Sequence, residues 1–232
     1  MQQEIITIRD EHSNAEATIA VSLGSNCFRF RVPKSASDSA DCIDVLWSLA
    51  DFESGTCRPS SSGIPILFPY PGRLRGMDFE WNGKSYPQES ADKLGNAIHG
   101  FVHKQPWRII SQTASSLTTE FHASLDDPSL LERWPADFRI RCRFTVEGTT
   151  LSTTFQIDNP SSTPLPFGLG AHPYFRLPIS QSSPADECTV AVPIHRQWEL
   201  DSMLPTGKSE TIEEQLANGL QFGDMQFDDV FS

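Results

Sequence analysis

Six histidines stand in this 232-residue chain, and two of them interrupt strand-like sequence in ways that suit proton transfer. His172 lies in "FGLGAHPYFRLP" (167–178), between small residues and the aromatic pair Tyr174 and Phe175. Gly168 and Gly170 permit close backbone approach, and Pro173 fixes the chain just past the imidazole. His99 lies in "NAIHGFVHKQPW" (96–107), which also holds His103. A third polar stretch, "GIPILFPYPGRLRG" (63–76), is too rich in proline for a central strand and delivers Arg73 and Arg75. Imidazole titrates near neutrality and serves as a reversible acid or base. Taken singly, each of His99 and His172 reads more readily as a satisfied structural histidine.

Other chemistries fit less well. His99 and His103 have the H-x-x-x-H spacing of a helical zinc site, but Gly100 and Pro106 oppose a helix and no third ligand stands nearby. No metal is expected. There is no G-x-S-x-G, and "GLGAHP" is followed by proline where a dinucleotide loop would open a helix, so no cofactor is expected. Five dispersed cysteines (27, 42, 57, 142, 188) without C-x-x-C read as mostly buried thiols in a reducing compartment. A net charge of −12 argues against nucleic acid or an anionic membrane as partner. Neither a signal-peptide pattern nor an apolar run of spanning length is seen, which makes the cytoplasm the expected location.

The elements that must position these groups are strands. In "FRIRCRFTV" (138–146) Phe138, Ile140, Cys142, Phe144 and Val146 alternate with Arg139, Arg141, Arg143 and Thr145, the period of a strand with one buried face. "CFRFRV" (27–32), "IDVLWSL" (43–49), "WRIISQT" (107–113), "LTTEFHA" (117–123) and "LSTTFQI" (151–157) read likewise. Many short strands between Gly, Pro, Ser and Asp-rich turns predict an all-β antiparallel sandwich forming a single domain over 1–232. Two short helices are expected. In "DPSLLERWP" Asp127 is the N-cap and Pro128 the first position; in "TIEEQLANG" Thr211 and Glu214 form a capping box and Gly219 the stop. "PKSASDSAD" (33–41) is expected to be a flexible loop.

The three polar stretches, in this order on an all-β chain, resemble the aldose 1-epimerase family, also called galactose mutarotases. The resemblance continues through "LDDPSLLERWPADFRIRCRF" and "IDNPSSTPLPFG" to "FDDVF" (227–231) and covers nearly the whole chain. It implies a large antiparallel β-sandwich that binds a hexose such as galactose or glucose in an open cleft, without cofactor or metal. By the same resemblance Arg73 binds sugar hydroxyls, His99 is the first active-site histidine and His172 the second, acting as general acid toward the ring oxygen. Asp228, beside Asp229, matches the aspartate that holds hydroxyls. Gly72 stands where relatives often have asparagine, and His103 where many have arginine, departures that bear on substrate choice. The family's general base is a glutamate beyond the "FDDVF" segment, and no glutamate of this chain matches it. The chain is therefore expected to be a truncated form lacking the final strands, with little activity of its own. A hexose-6-phosphate 1-epimerase, with Arg75, Lys104 or Arg108 meeting the phosphate, and a non-catalytic carbohydrate-binding sandwich are the alternatives.

Overall fold

The structure, a computed structural model, describes residues 3–35, 38–89, 91–179, 184–212, 218–224 and 228–232. Its regular structure is mostly antiparallel strand, and the chain divides into two compact units, Met1–Phe175 and Arg176–Ser232. Among the described residues no helix is long and apolar enough to cross a membrane.

In the first unit, β1 (Ile5–Arg9), β2 (Glu16–Ala20), β3 (Asn26–Ser35) and β4 (Asp38–Asp44) form one meander. Short strands follow: β5 (Ile66–Leu67), β6 (Arg73–Leu74), the hairpin β7 (Asp78–Trp81) and β8 (Lys84–Pro87), and β9 (Ala97–Ile98). A second meander comprises β10 (Arg108–Gln112), β11 (Ser116–His122), β12 (Arg139–Glu147) and β13 (Thr150–Asp158), and β14 (Gly170–Ala171) returns to pair with β5. The alternation predicted on β12 is present: Ile140, Cys142, Phe144 and Val146 are buried with Phe138, while Arg139, Arg141 and Arg143 face away. Those side chains join Ile8, Ile19, Phe30, Phe68, Phe101, Trp107 and Phe121 in one core cluster between the meanders. On the outer face Glu120 accepts from Arg108 and Arg141, a cross-strand pairing of the kind that stabilises a sheet face.

Several local expectations change. In "CFRFRV" a bulge opposite Thr18 and Ile19 leaves Phe28 without a partner in the register. The extra residue turns Phe28 into a separate small core with Ala20, Leu23 and Phe52, while Cys27 and Phe30 enter the main one. The stretch 33–41 is largely strand, because β3 runs to Ser35 and β4 starts at Asp38. β4 ends at Asp44, earlier than predicted, and only Leu46 beyond it makes a bridge, to Phe175. The "DPSLLERWP" helix is a 3-10 turn, Pro128–Glu132. Asp127 precedes it without capping, because its carboxylate accepts from Ser129 and from Gln105 instead. Glu214 of the predicted "TIEEQLANG" helix lies outside the described residues, and Thr211 ends a strand. Of the five cysteines Cys27 and Cys142 are buried, whereas Cys42, Cys57 and Cys188 are only partly so.

The second unit contains β15 (Thr189–Val190), β16 (Arg196–Asp201), β17 (Leu204–Thr211), β18 (Leu220–Gln221) and β19 (Val230–Phe231). β16 pairs with β17 on one side and β19 on the other, and β15 pairs with β18.

Candidate active site

Two short ladders build the site. β6 pairs with β9 so that Arg73 lies opposite Ile98, the residue before His99. The N–H of His99 then donates to the Gly72 carbonyl at 2.8 Å. The other ladder sets Gly170 against Leu67 and Ala171 against Ile66, and His172 N–H continues it to Pro65 O at 3.2 Å. The "GIPILFPYPGRLRG" stretch therefore touches both histidine segments, one near each end.

Backbone conformation is unusual where these segments meet. His99 has φ of 67°, a left-handed conformation that non-glycine residues adopt rarely and that concentrates at functional sites. Gly100 follows with φ of +64°, and a Cβ there would lie 2.3 Å from Phe68 O. No other residue fits. Gly72 also has positive φ, yet a Cβ would meet nothing within 4 Å. Asparagine tolerates that conformation, which accounts physically for the exchange expected at this position.

The side chains converge. The rings of His99 and His172 have centroids 6.3 Å apart, and those of His99 and His103 the same separation. Tyr174 lies with its ring 4.8 Å from that of His172, and its hydroxyl donates to Ser60 O at 3.0 Å. Arg73 uses its Nε to bind Asp92 Oδ2 at 2.6 Å. Its terminal nitrogens have no partner among the described residues and remain available. Asp92 is itself fixed, because its other oxygen accepts from the N–H groups of Leu94 and Asn96. Those backbone bonds, with that from Arg73, hold its carboxyl below the ordinary range.

Electrostatics separates the histidines. Burial pushes His99 down to about 4, and the charges of His172, Arg58 and Arg73 act in the same direction. Burial likewise pushes His103 to about 4, aided by Lys104. Both are neutral at physiological pH and each leaves a buried Nδ1 without a partner. His172 is exposed. The arrangement thus pairs an accessible imidazole with a neutral one that can only donate or accept hydrogen bonds.

His99 and His103 do not share a helix face, since the 3-10 turn Val102–Lys104 begins after Gly100. Among the described residues no group of three or more His, Cys, Asp or Glu is placed to hold a metal ion. A Ser–His–Asp group exists elsewhere, at Ser124, His122 and Asp137. Ser124 Oγ and Asp137 Oδ2 meet the same nitrogen, His122 Nε2, at 3.1 and 2.9 Å, so the ring cannot relay a proton between them. Arg108 is engaged by Asp126 and Glu120. Arg75 is exposed, and Lys104 is partly buried. In the second unit Asp228 is exposed, whereas Asp229 accepts from Gln197 Nε2 at 3.0 Å. Of the two aspartates, Asp228 is therefore the uncommitted one.

Asp92 and Arg58 were not singled out from the sequence. Asp92 was findable, because Asp followed by Gly95 and Asn96 is a turn signature that aims a carboxylate at nearby backbone N–H groups. Arg58, which precedes the turn Pro59–Ser61, carries no sequence signal of its charge reaching the histidines.

A family profile described as Aldose 1-epimerase matches residues 5–232. The chain is 30% identical over 141 residues to the plasmid-borne Protein LacX of Lactococcus lactis subsp. lactis, spanning 60% of this chain and 43% of that protein. It is 29% identical over 148 residues to the uncharacterized protein YphB of Escherichia coli, spanning 61% and 48%. It thus spans about half the length of the curated relatives it matches. Among solved structures, a galactose mutarotase-like protein from Clostridium acetobutylicum superposes with a TM-score of 0.81 at 24% identity, covering 100% of this chain and 72% of that one. A GalM/aldose epimerase homologue from C. elegans gives a TM-score of 0.73 at 18% identity, covering 94% and 65%. At these identities the structural likeness is one of fold, the galactose mutarotase-like β-sandwich. With the profile match covering all but the first four residues, the chain belongs to the aldose 1-epimerase family.

Proposed function

We propose that this chain carries the sugar-binding and proton-donating part of a site that interconverts the α and β anomers of a hexose. The observation that carries this reading is the convergence of an exposed His172 on a neutral, half-buried His99, which itself feels the Arg73 charge. Arg73, fixed by Asp92, offers its free N–H groups to vicinal hydroxyls. His99, uncharged, accepts from or donates to another hydroxyl. Asp228 is assigned the hydroxyl-holding role that the family pattern gives it.

In the reaction a base removes the proton of the anomeric hydroxyl, and its O–H electrons form the C1 carbonyl. The bond from C1 to the ring oxygen breaks, its electrons stay on that oxygen, and His172 supplies the proton. Rotation about C1–C2 and the reverse steps close the ring on the other face. The pattern assigns the base to a glutamate that no residue of these 232 matches, so the groups present here account for binding and for the acid.

Polarimetry of freshly dissolved α-galactose tests the reading in a chain that also carries a segment with the family's base. Acceleration that falls steeply in His172→Ala is expected. Undiminished acceleration in that variant would overturn the assignment of the acid.

A further inference from the structure

The series of rings that starts at the histidines continues past Tyr174. The Trp47 ring lies 6.0 Å from that of Tyr174 at 41°, and Tyr174 lies 4.8 Å from His172. Trp47 is also pinned at its backbone: its N–H donates to Tyr174 O at 2.8 Å, and its carbonyl accepts from Gly63 N–H at 3.0 Å. Adjacent Leu46 bridges to Phe175. Both segments that hold Trp47 are ones that build the site. Despite this anchoring Trp47 is 37% exposed. Its indole N–H has no partner among the described residues, whereas Trp107 and Trp134 donate theirs to Val102 O and Pro166 O. A partly exposed indole, anchored through its backbone and carrying a free donor, is suited to the apolar side of a sugar and one of its hydroxyls.

We propose that Trp47 is a specificity-determining residue that receives the exocyclic C6 hydroxymethyl group and so selects hexoses over pentoses. The inference rests on the proposed function, in which His172 faces the ring oxygen. The ring oxygen is bonded to C5, which carries C6, so the hydroxymethyl group projects from the His172 side of the sugar. Trp47 stands two ring contacts from His172, with Tyr174 between them. A pentopyranose lacking C6 leaves this indole face in water. Loss of one such group from an apolar contact typically lowers affinity about tenfold or more.

The test is calorimetric binding of two matched pairs, galactose against L-arabinose and glucose against D-xylose, to wild type, Trp47→Ala and Trp47→Phe, with intrinsic fluorescence recorded in parallel. Wild type should bind each hexose about tenfold more tightly than its pentose. Trp47→Ala should bring the two affinities together, and Trp47→Phe should retain the preference but lose the sugar-dependent fluorescence change. Equal affinities in wild type, an unchanged ratio in Trp47→Ala, or a persisting fluorescence change in Trp47→Phe would overturn the inference. The Phe variant decides the matter even if the Ala variant does not fold. Failure of wild type to bind any of the four sugars would instead defeat the functional reading on which the inference rests.

Discussion

His99 and His172 come within 6.3 Å, ring centroid to ring centroid, because both are tied to the same proline-rich segment. His99 N–H bonds to Gly72 and His172 N–H to Pro65, so one stretch of backbone sets the position of both imidazoles. Their environments differ sharply. Burial keeps His99 neutral, while His172 is open to solvent.

The roles of His172 and Arg73 should separate kinetically. In a chain that also carries the base, His172→Ala should lower kcat by about 10²–10⁴-fold with a smaller effect on KM. Arg73→Ala should act chiefly on KM, because hydroxyl contacts of equal strength in ground and transition states contribute uniform binding. Initial rates at varied galactose concentration distinguish the two. Equal kcat in wild type and His172→Ala would remove the histidine from proton donation.

Asp92 should behave as a positioning residue. Asp92→Ala removes the anchor of Arg73 Nε together with the turn bonds to Leu94 and Asn96. Sugar affinity should fall roughly tenfold, the scale of losing a charged hydrogen bond. Asp92→Asn, which keeps an acceptor for the backbone N–H groups, should fall in between. Calorimetry on the three proteins checks the order, and wild-type affinity in Asp92→Ala would show that Arg73 needs no anchor.

How much of this was legible in the sequence varied with the physics. β12 announced itself because one buried face imposes strict alternation on its residues. Phe28 did not, since a single extra residue in a bulge reverses which side the following side chains face, and composition carries no mark of it. The positions of Arg73, His99 and His172 could be named from motif order, yet their convergence depends on two-residue ladders too short to leave a periodic signal. The anchoring of Arg73 is also a matter of spatial approach, because Asp92 reaches it across the β7–β8 hairpin.

Stability should fall in mild acid through buried His103 and half-buried His99. His103 has its folded-state value depressed from 6.5 to about 4, so the unfolded chain binds the proton more readily. Its contribution is complete above pH 6.5 and is lost as pH falls toward about 4, a change of about 3 kcal/mol for this shift. His99 acts in the same direction. Urea midpoints at pH 7 and 4.5 should therefore differ less in His103→Gln than in wild type. An identical difference in both proteins would show that His103 does not titrate as its burial requires.

The most direct test of the central claim is histidine-ring NMR during titration with galactose. The account predicts saturable shifts of the His99 and His172 ring signals, with His12 and His122 unmoved. Saturable sugar binding that leaves both His99 and His172 unshifted would contradict it, as would shifts confined to the other histidines.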